Sequence, residues 1–234
     1  MKNELKKRIF SSIIIIPISI FFITQKELLF LFFFGLLFLI TSYEWININK
    51  KNNLIKFLGI VCLLLSFNSA YYFRKSFGID FFIFTILICV FADIGGYTFG
   101  KIFGGPKLIK KISPKKTYTG MIGSFLLPLI IGLIFINYFL KEKIIFSSYK
   151  LFAYILLISL VNQIGDLIIS YFKRKAKIKD TGKILPGHGG LLDRLDGLTF
   201  VFLSLYPIRY IQIWKKKIAI LGSTGSIGKT LLDI

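Results

Sequence analysis

Long apolar runs separated by short charged clusters set the pattern of this chain. Seven stretches, near residues 9–24, 28–43, 54–73, 79–100, 118–140, 151–172 and 198–214, carry few charges. A helix needs about 20 apolar residues to cross a bilayer core. Helices and closed barrels alone satisfy their backbone hydrogen bonds there. The pattern predicts an all-α protein, a polytopic integral membrane helical bundle with about seven spans. The first two runs are short, so one of them could be interfacial or re-entrant. Residues 1–214 read as one membrane-embedded domain, and residues 215–234 as something different.

Composition sharpens that picture. Hydrophobic residues make up 55% of the chain and its mean hydropathy is +0.72. The length leaves no room for several spans plus a large soluble domain. The net charge is +20, but the basic residues fall in short loops and no nucleic-acid-binding motif is present. Cytoplasmic loops of membrane proteins are enriched in Lys and Arg. The N-terminus, the loops near 44–56 and 101–116, and the loop 173–194 together hold twenty such residues, against six in the alternate loops. That bias predicts a multi-pass protein of the inner (plasma) membrane whose N-terminus and richest loops face the cytoplasm. The cluster Lys215–Lys217 opposes the rule after an odd number of spans, so either the count is off by one or the tail is foreign. Cys62 and Cys89 lie inside apolar runs and read as small hydrophobes. No cleavable signal pattern follows Arg8, so the first run reads as a retained anchor.

The polar residues that interrupt the apolar runs carry the chemistry. On a helix, Asn162, Asp166, Ser170 and Lys173 share one face. Asp166 then lies about 10 Å deeper than Lys173. An acid inside a bilayer costs about 2.5–3.5 kcal/mol or more unless it meets a polar cavity or a cation. Asp166 is therefore expected to face a cavity and bind something cationic, the plainer alternative being an ion pair with a neighbouring helix. Asp93 lies at similar depth below Lys101, and two acids at matched depth suggest one shared cavity. Asp193 and Asp196, spaced i and i+3, converge if they open the last helix. Carboxylate oxygens suit Mg²⁺, which keeps several waters and adds phosphate oxygens. The plainer reading of that pair is helix N-terminal charge preference. Gly187, Gly189 and Gly190 flank His188, the chain's one histidine, in a turn whose backbone could approach phosphate. Thr117, Gly120 and the lysines of the loop 113–120 could contact phosphate at a helix start. Lys107, Lys110 and Lys111 read as positive-inside residues.

These motifs resemble the phosphatidate cytidylyltransferase (CDP-diacylglycerol synthase) family. The resemblance rests on Ser170, Lys173-Arg174, Lys179-Asp180, His188-Gly189-Gly190 and Asp193-Arg194-Leu195-Asp196. It rests also on Asp93, Gly96-Tyr97 and Ser113-Pro114-Lys115-Lys116-Thr117 with Gly120. It implies transfer of a cytidylyl group from CTP to phosphatidate, giving CDP-diacylglycerol and pyrophosphate. It implies catalytic roles for Asp166, Asp193, Asp196, Lys173 and Arg174. Substrate contacts would come from Asp93, Ser113, Lys115, Lys116, Thr117, Ser170, Lys179, Asp180, His188 and Arg194. The metal would be Mg²⁺ on Asp166 and Asp193. The implied partners are CTP, phosphatidate and membrane lipid, with a homodimer compatible and nucleic acid excluded. The stretch between Glu44-Trp45 and Asp93 looks short for that family, as if one or two helices were missing. Two alternatives stand beside this reading: a CTP-dependent lipid-alcohol kinase, which would release CDP, and a channel or transporter with buried carboxylates on an ion path.

Residues 215–234 form an apolar strand, a turn with Gly222, Gly225 and Gly228, and a helix start. They resemble the opening of 1-deoxy-D-xylulose 5-phosphate reductoisomerase. A dinucleotide-binding unit needs about 30 residues and a later acidic residue. The tail is therefore expected to be non-functional, with no NADP bound.

Overall fold

The computed structural model describes residues 2–50, 52–140, 148–182, 184 and 189–207. The tail 215–234 and His188 lie outside them. Among the described residues six α-helices follow in chain order: α1 (Lys2–Thr24), α2 (Glu27–Ile48), α3 (Asn53–Ile102), α4 (Tyr118–Phe135), α5 (Ser148–Lys175) and α6 (Leu192–Ser204). A π-helical turn, Ile136–Leu140, continues α4. Four helices, α2, α3, α4 with its extension, and α5, are long and apolar enough to cross a membrane. Their outer faces carry exposed Leu, Ile and Phe along their lengths, as a lipid-facing surface requires.

The apolar runs near 54–73 and 79–100 join into α3, a helix of 50 residues. At 1.5 Å per residue this is far longer than one bilayer crossing. The ladder is interrupted at Gly78, whose φ of 86° and ψ of 170° are non-helical. Only glycine takes that conformation without strain, so the break falls between the two runs. A two-stranded antiparallel hairpin, β1 (Lys107–Ile109) and β2 (Ser113–Thr117), follows α3, where the sequence reads as a loop. Its register pairs Lys107 with Thr117 and Ile109 with Ser113. Thr117 then caps α4 by accepting from the Gly120 N–H at 3.1 Å.

Two forces hold the helices together. Aromatic packing forms the main core, where Phe82 of α3 lies between Phe30 of α2 and Phe202 of α6, with ring centroids 5.9 and 5.2 Å apart. Ile155 and Ile158 of α5 complete it. Close backbone approach joins α3 to α4. A methyl group placed on Gly95 would stand 2.2 Å from the Gly123 carbonyl oxygen, and one on Gly120 would stand 2.5 Å from that of Gly96. Small residues permit such contact between membrane helices. A buried hydrogen bond, Ser66 Oγ to the Thr199 carbonyl at 2.7 Å, ties α3 to α6. Gly95→Ala should therefore lower the melting temperature in detergent, at a cost of about 1–3 kcal/mol. Gly35→Ala, where an added methyl meets nothing within 4 Å, should leave melting within experimental error.

Candidate active site

The polar face of α5 organises the site. Ser170 donates to Asp166 Oδ1 at 3.2 Å, one helical turn away. Asp166 Oδ2 pairs with Lys116 Nζ at 2.7 Å, so β2 is tied to the middle of α5. One turn deeper, Asn162 donates to Asp93 Oδ1 of α3 at 2.8 Å. At the end of the helix, Lys173 Nζ pairs with Asp193 Oδ1 of α6 at 2.7 Å, both side chains largely buried. The face foreseen from helical spacing is thus a ladder of charged and amide groups, each rung gripping a different element.

A cavity of about 220 Å³ opens beside that face. Asp93, Lys115, Lys116, Thr117, Gln163 and Asp166 are among the residues that line it, with Tyr97 and Met121 supplying apolar wall. Both intramembrane acids therefore meet one cavity. Asp166 does so while paired to a cation, which combines the cavity and the ion pair that its burial demanded. The charge of Asp166 also acts on Asp93 and on the buried Asp196. Gln163 Nε2 is buried and has no hydrogen-bond partner.

The signature loop is held by two carboxylates. Asp193 Oδ2 accepts from the Thr181 N–H at 2.7 Å, the Thr181 hydroxyl at 3.1 Å and the Gly190 N–H at 3.0 Å. Glu44 of α2, only 1% exposed, is the second. Its Oε1 accepts from the Leu191 N–H at 3.0 Å. Its Oε2 accepts from the Leu192 N–H at 2.8 Å and lies 2.9 Å from the Thr181 hydroxyl. Glu44 was not singled out as functional in the sequence, because its partners lie more than a hundred residues away. The signal that could have found it is akin to the one that marked Asp166: an acid set against an apolar run, here directly after its end.

The glycines of the loop serve this packing. A methyl on Gly190 would stand 2.0 Å from Thr181 Oγ1 and 2.5 Å from Glu44 Oε2, and one on Gly189 would stand 3.0 Å from Asp193 Oδ2. The Gly190 N–H, expected to face phosphate, here faces Asp193. Arg174 donates to the carbonyls of Ile112 and Ile178, both at 3.2 Å. It ties the end of α5 to the hairpin turn. The chain leaves α5 through Lys177, with a φ of 57°. There the Ile178 N–H reaches the Lys173 carbonyl and the Lys177 N–H that of Arg174, both at 3.0 Å, a Schellman closure. Lys179 and Asp180 are exposed on this loop and Arg194 on the first turn of α6, and Ser113 sits half-buried at the start of β2. The carbons of Asp180 pack against Gly189.

The donor chemistry is that of a hard cation. Among the described residues no group of three or more His, Cys, Asp or Glu side chains forms a ready metal cage. Mg²⁺ rarely uses one. It takes one or two carboxylates and fills its octahedron with water and phosphate oxygens. The carboxylates of Asp166 and Asp193 fit that need, and each is now balanced by a lysine.

Comparison with known proteins agrees with the motifs. A family model described as "Cytidylyltransferase family" matches residues 53–212. A phosphatidate cytidylyltransferase of Rickettsia bellii is 34% identical over 218 residues, covering 91% of this chain and 94% of that protein. One from Staphylococcus saprophyticus is 35% identical over 189 residues, covering 75% and 67%. Another from Staphylococcus aureus is 42% identical over 142 residues, covering 61% and 53%. The Rickettsia protein aligns almost end to end, so the short stretch between Glu44 and Asp93 is no barrier to the match. With the family match spanning more than half of its residues, and with Asp93, Lys115, Lys116, Thr117 and Asp166 of its motifs lining one cavity, the chain belongs to the cytidylyltransferase family.

Proposed function

We propose that this chain converts CTP and phosphatidate to CDP-diacylglycerol and pyrophosphate. The observation that carries the reading is the placement of two lysine–carboxylate pairs along one face of α5, Lys116–Asp166 lining the cavity and Lys173–Asp193 two turns further toward the end of the helix. A phosphate oxygen of phosphatidate forms a bond to the α-phosphorus of CTP. The bond from that phosphorus to the bridging oxygen breaks, and pyrophosphate leaves with the electron pair. The nucleophile is already ionised near neutral pH, so no general base is required.

Such a transfer needs charge neutralisation and alignment more than covalent help. Lys116 and Lys173 are ammonium groups held in place before substrate arrives, with Lys115 on the cavity wall. The N-terminus of α4 stands at the cavity with Thr117 and Gly120, so the positive end of its dipole favours a phosphate there. Asp166 and Asp193 would hold Mg²⁺, which when bound offsets the charge of the triphosphate and of the departing pyrophosphate. Asp196 stands beside them as a further oxygen donor. The basic bias of the loops supports a cytoplasmic orientation for this end of the bundle, where a nucleotide would be met. A lipid substrate reaches the cavity from the bilayer at the same level.

The purified protein in detergent should release pyrophosphate only with CTP, phosphatidate and Mg²⁺ together. Chelation should abolish release and added Mg²⁺ restore it. CDP in place of pyrophosphate would sink the transferase reading in favour of a lipid-alcohol kinase. Asp193→Asn should lower kcat at least about a hundredfold. It should also cost about 3–5 kcal/mol of stability, because Lys173 is left buried without its partner. Melting and activity measured on one preparation check both. Lys116→Met should lower kcat/KM for CTP by about tenfold or more, whereas Lys107→Met, on the outer strand of the hairpin, should leave it unchanged.

A further inference from the structure

Glu44 lies on α2, outside the segment that matches the family, 137 residues from the threonine it meets. Burying a carboxylate in an apolar bundle is costly unless donors replace its water. Glu44 has three. Two are the N–H groups of Leu191 and Leu192, at the start of α6. Those N–H groups have no acceptor within their own helix. The position that would ordinarily supply one as a Ser, Thr, Asp or Asn side chain is Leu191, which makes no side-chain cap. The cap of α6 is therefore delivered from another helix, with a negative charge at the positive end of the helix dipole.

The third donor links Glu44 to the chemistry. The Thr181 hydroxyl stands 2.9 Å from Glu44 Oε2 and 3.1 Å from Asp193 Oδ2. A hydroxyl has one proton to give, so the two carboxylates compete for it and their separation is set by it. The packing leaves no slack: methyl groups on Gly182 and Gly190 would each stand 2.5 Å from a Glu44 oxygen. Asp193 itself opens α6 and grips Lys173. Its position thus depends on where α6 begins and where Thr181 stands, and Glu44 holds both.

We infer that Glu44 is a positioning residue for this site: through Thr181 and the first turn of α6 it sets where the Asp193 carboxylate, and with it the Lys173 ammonium, stands. The inference rests on the transferase reading of the site and adds to it a dependence on α2. It also assigns Thr181 a role, as the relay between the two acids.

Three variants test it. Thr181→Val removes the hydroxyl but keeps the N–H that binds Asp193. Thr181→Ser keeps both. Glu44→Gln keeps the shape of the side chain and turns one acceptor into a donor. Kinetics by pyrophosphate release should show Thr181→Val and Glu44→Gln lowered about tenfold or more in kcat, the scale of one hydrogen bond to a charged group. KM for CTP should stay within about twofold, since ground-state binding is untouched. Thr181→Ser should behave as wild type. A Thr181→Val protein with wild-type kcat overturns the inference. So does a Thr181→Ser protein as slow as Thr181→Val, or a kcat that falls only in step with the folded fraction. If Glu44→Gln does not fold, the Thr181 pair decides, because it leaves both N–H bonds to Glu44 in place. If the wild-type chain releases no pyrophosphate, the transferase reading has failed and not the positioning. Amide exchange then carries the test, with protection of the Gly190 N–H expected to fall about tenfold in Thr181→Val and not in Thr181→Ser. Equal protection in the two variants overturns the inference.

Discussion

A charged group among apolar helices must be paired, and this one constraint shapes the active end of the bundle. The bilayer offers no water to solvate a lone carboxylate. Four acids of this region have accordingly recruited partners from other elements. Asp166 joins α5 to β2 through Lys116. Asp193 joins α6 to α5 through Lys173. Asp93 joins α3 to α5 through Asn162, and Glu44 joins α2 to α6 through backbone N–H groups. The phenylalanine core supplies bulk cohesion, but these four contacts decide how the ends of the helices stand. Stability and chemistry therefore depend on the same side chains.

The glycine seam between α3 and α4 works in concert with those pairs. Gly95, Gly96 and Gly100 on α3 face Gly120 and Gly123 on α4 at backbone distance. The hairpin between the two helices is thereby held against α5, so that Lys116 reaches Asp166 and not solvent. Thr117, next in the chain, ends the strand and starts α4 in one residue. Two of the cavity walls are thus fixed by packing that involves no charge at all.

How far the site could be read from the sequence follows from how local each feature is. The shared face of Asn162, Asp166, Ser170 and Lys173 needed only the period of a helix, and the structure has it. The break in α3 was legible as a gap between two apolar runs, since a helix of 50 residues exceeds one crossing. The common cavity of Asp93 and Asp166 was legible from matched depth. What could not be read was which acid meets which donor. Arg174 meets the carbonyls of Ile112 and Ile178, and the Gly190 N–H meets Asp193. Those partners are set by how α5, α6 and the hairpin converge, which no spacing along one segment encodes. Glu44 escaped for the same reason, although the cost of its burial was as plain as that of Asp166.

The pairs also explain how a membrane cavity can be prepared for a highly charged substrate. Unpaired lysines at Lys116 and Lys173 would repel each other and lose solvation, and unpaired acids would do the same. Paired, they are neutral as a set, so the empty bundle carries little electrostatic penalty. In the transfer proposed above, triphosphate oxygens would suit the lysines, and Asp166 and Asp193 would then be free to hold a divalent cation. The four side chains remain neutral as a set through that exchange. It also sets a condition: the acids must not drift toward one another when their lysines turn away. Asp193 meets that condition because two backbone donors on its second oxygen, the N–H groups of Thr181 and Gly190, do not depend on Lys173. The rigid frame around Glu44 lets Lys173 change partners while Asp193 stays in place.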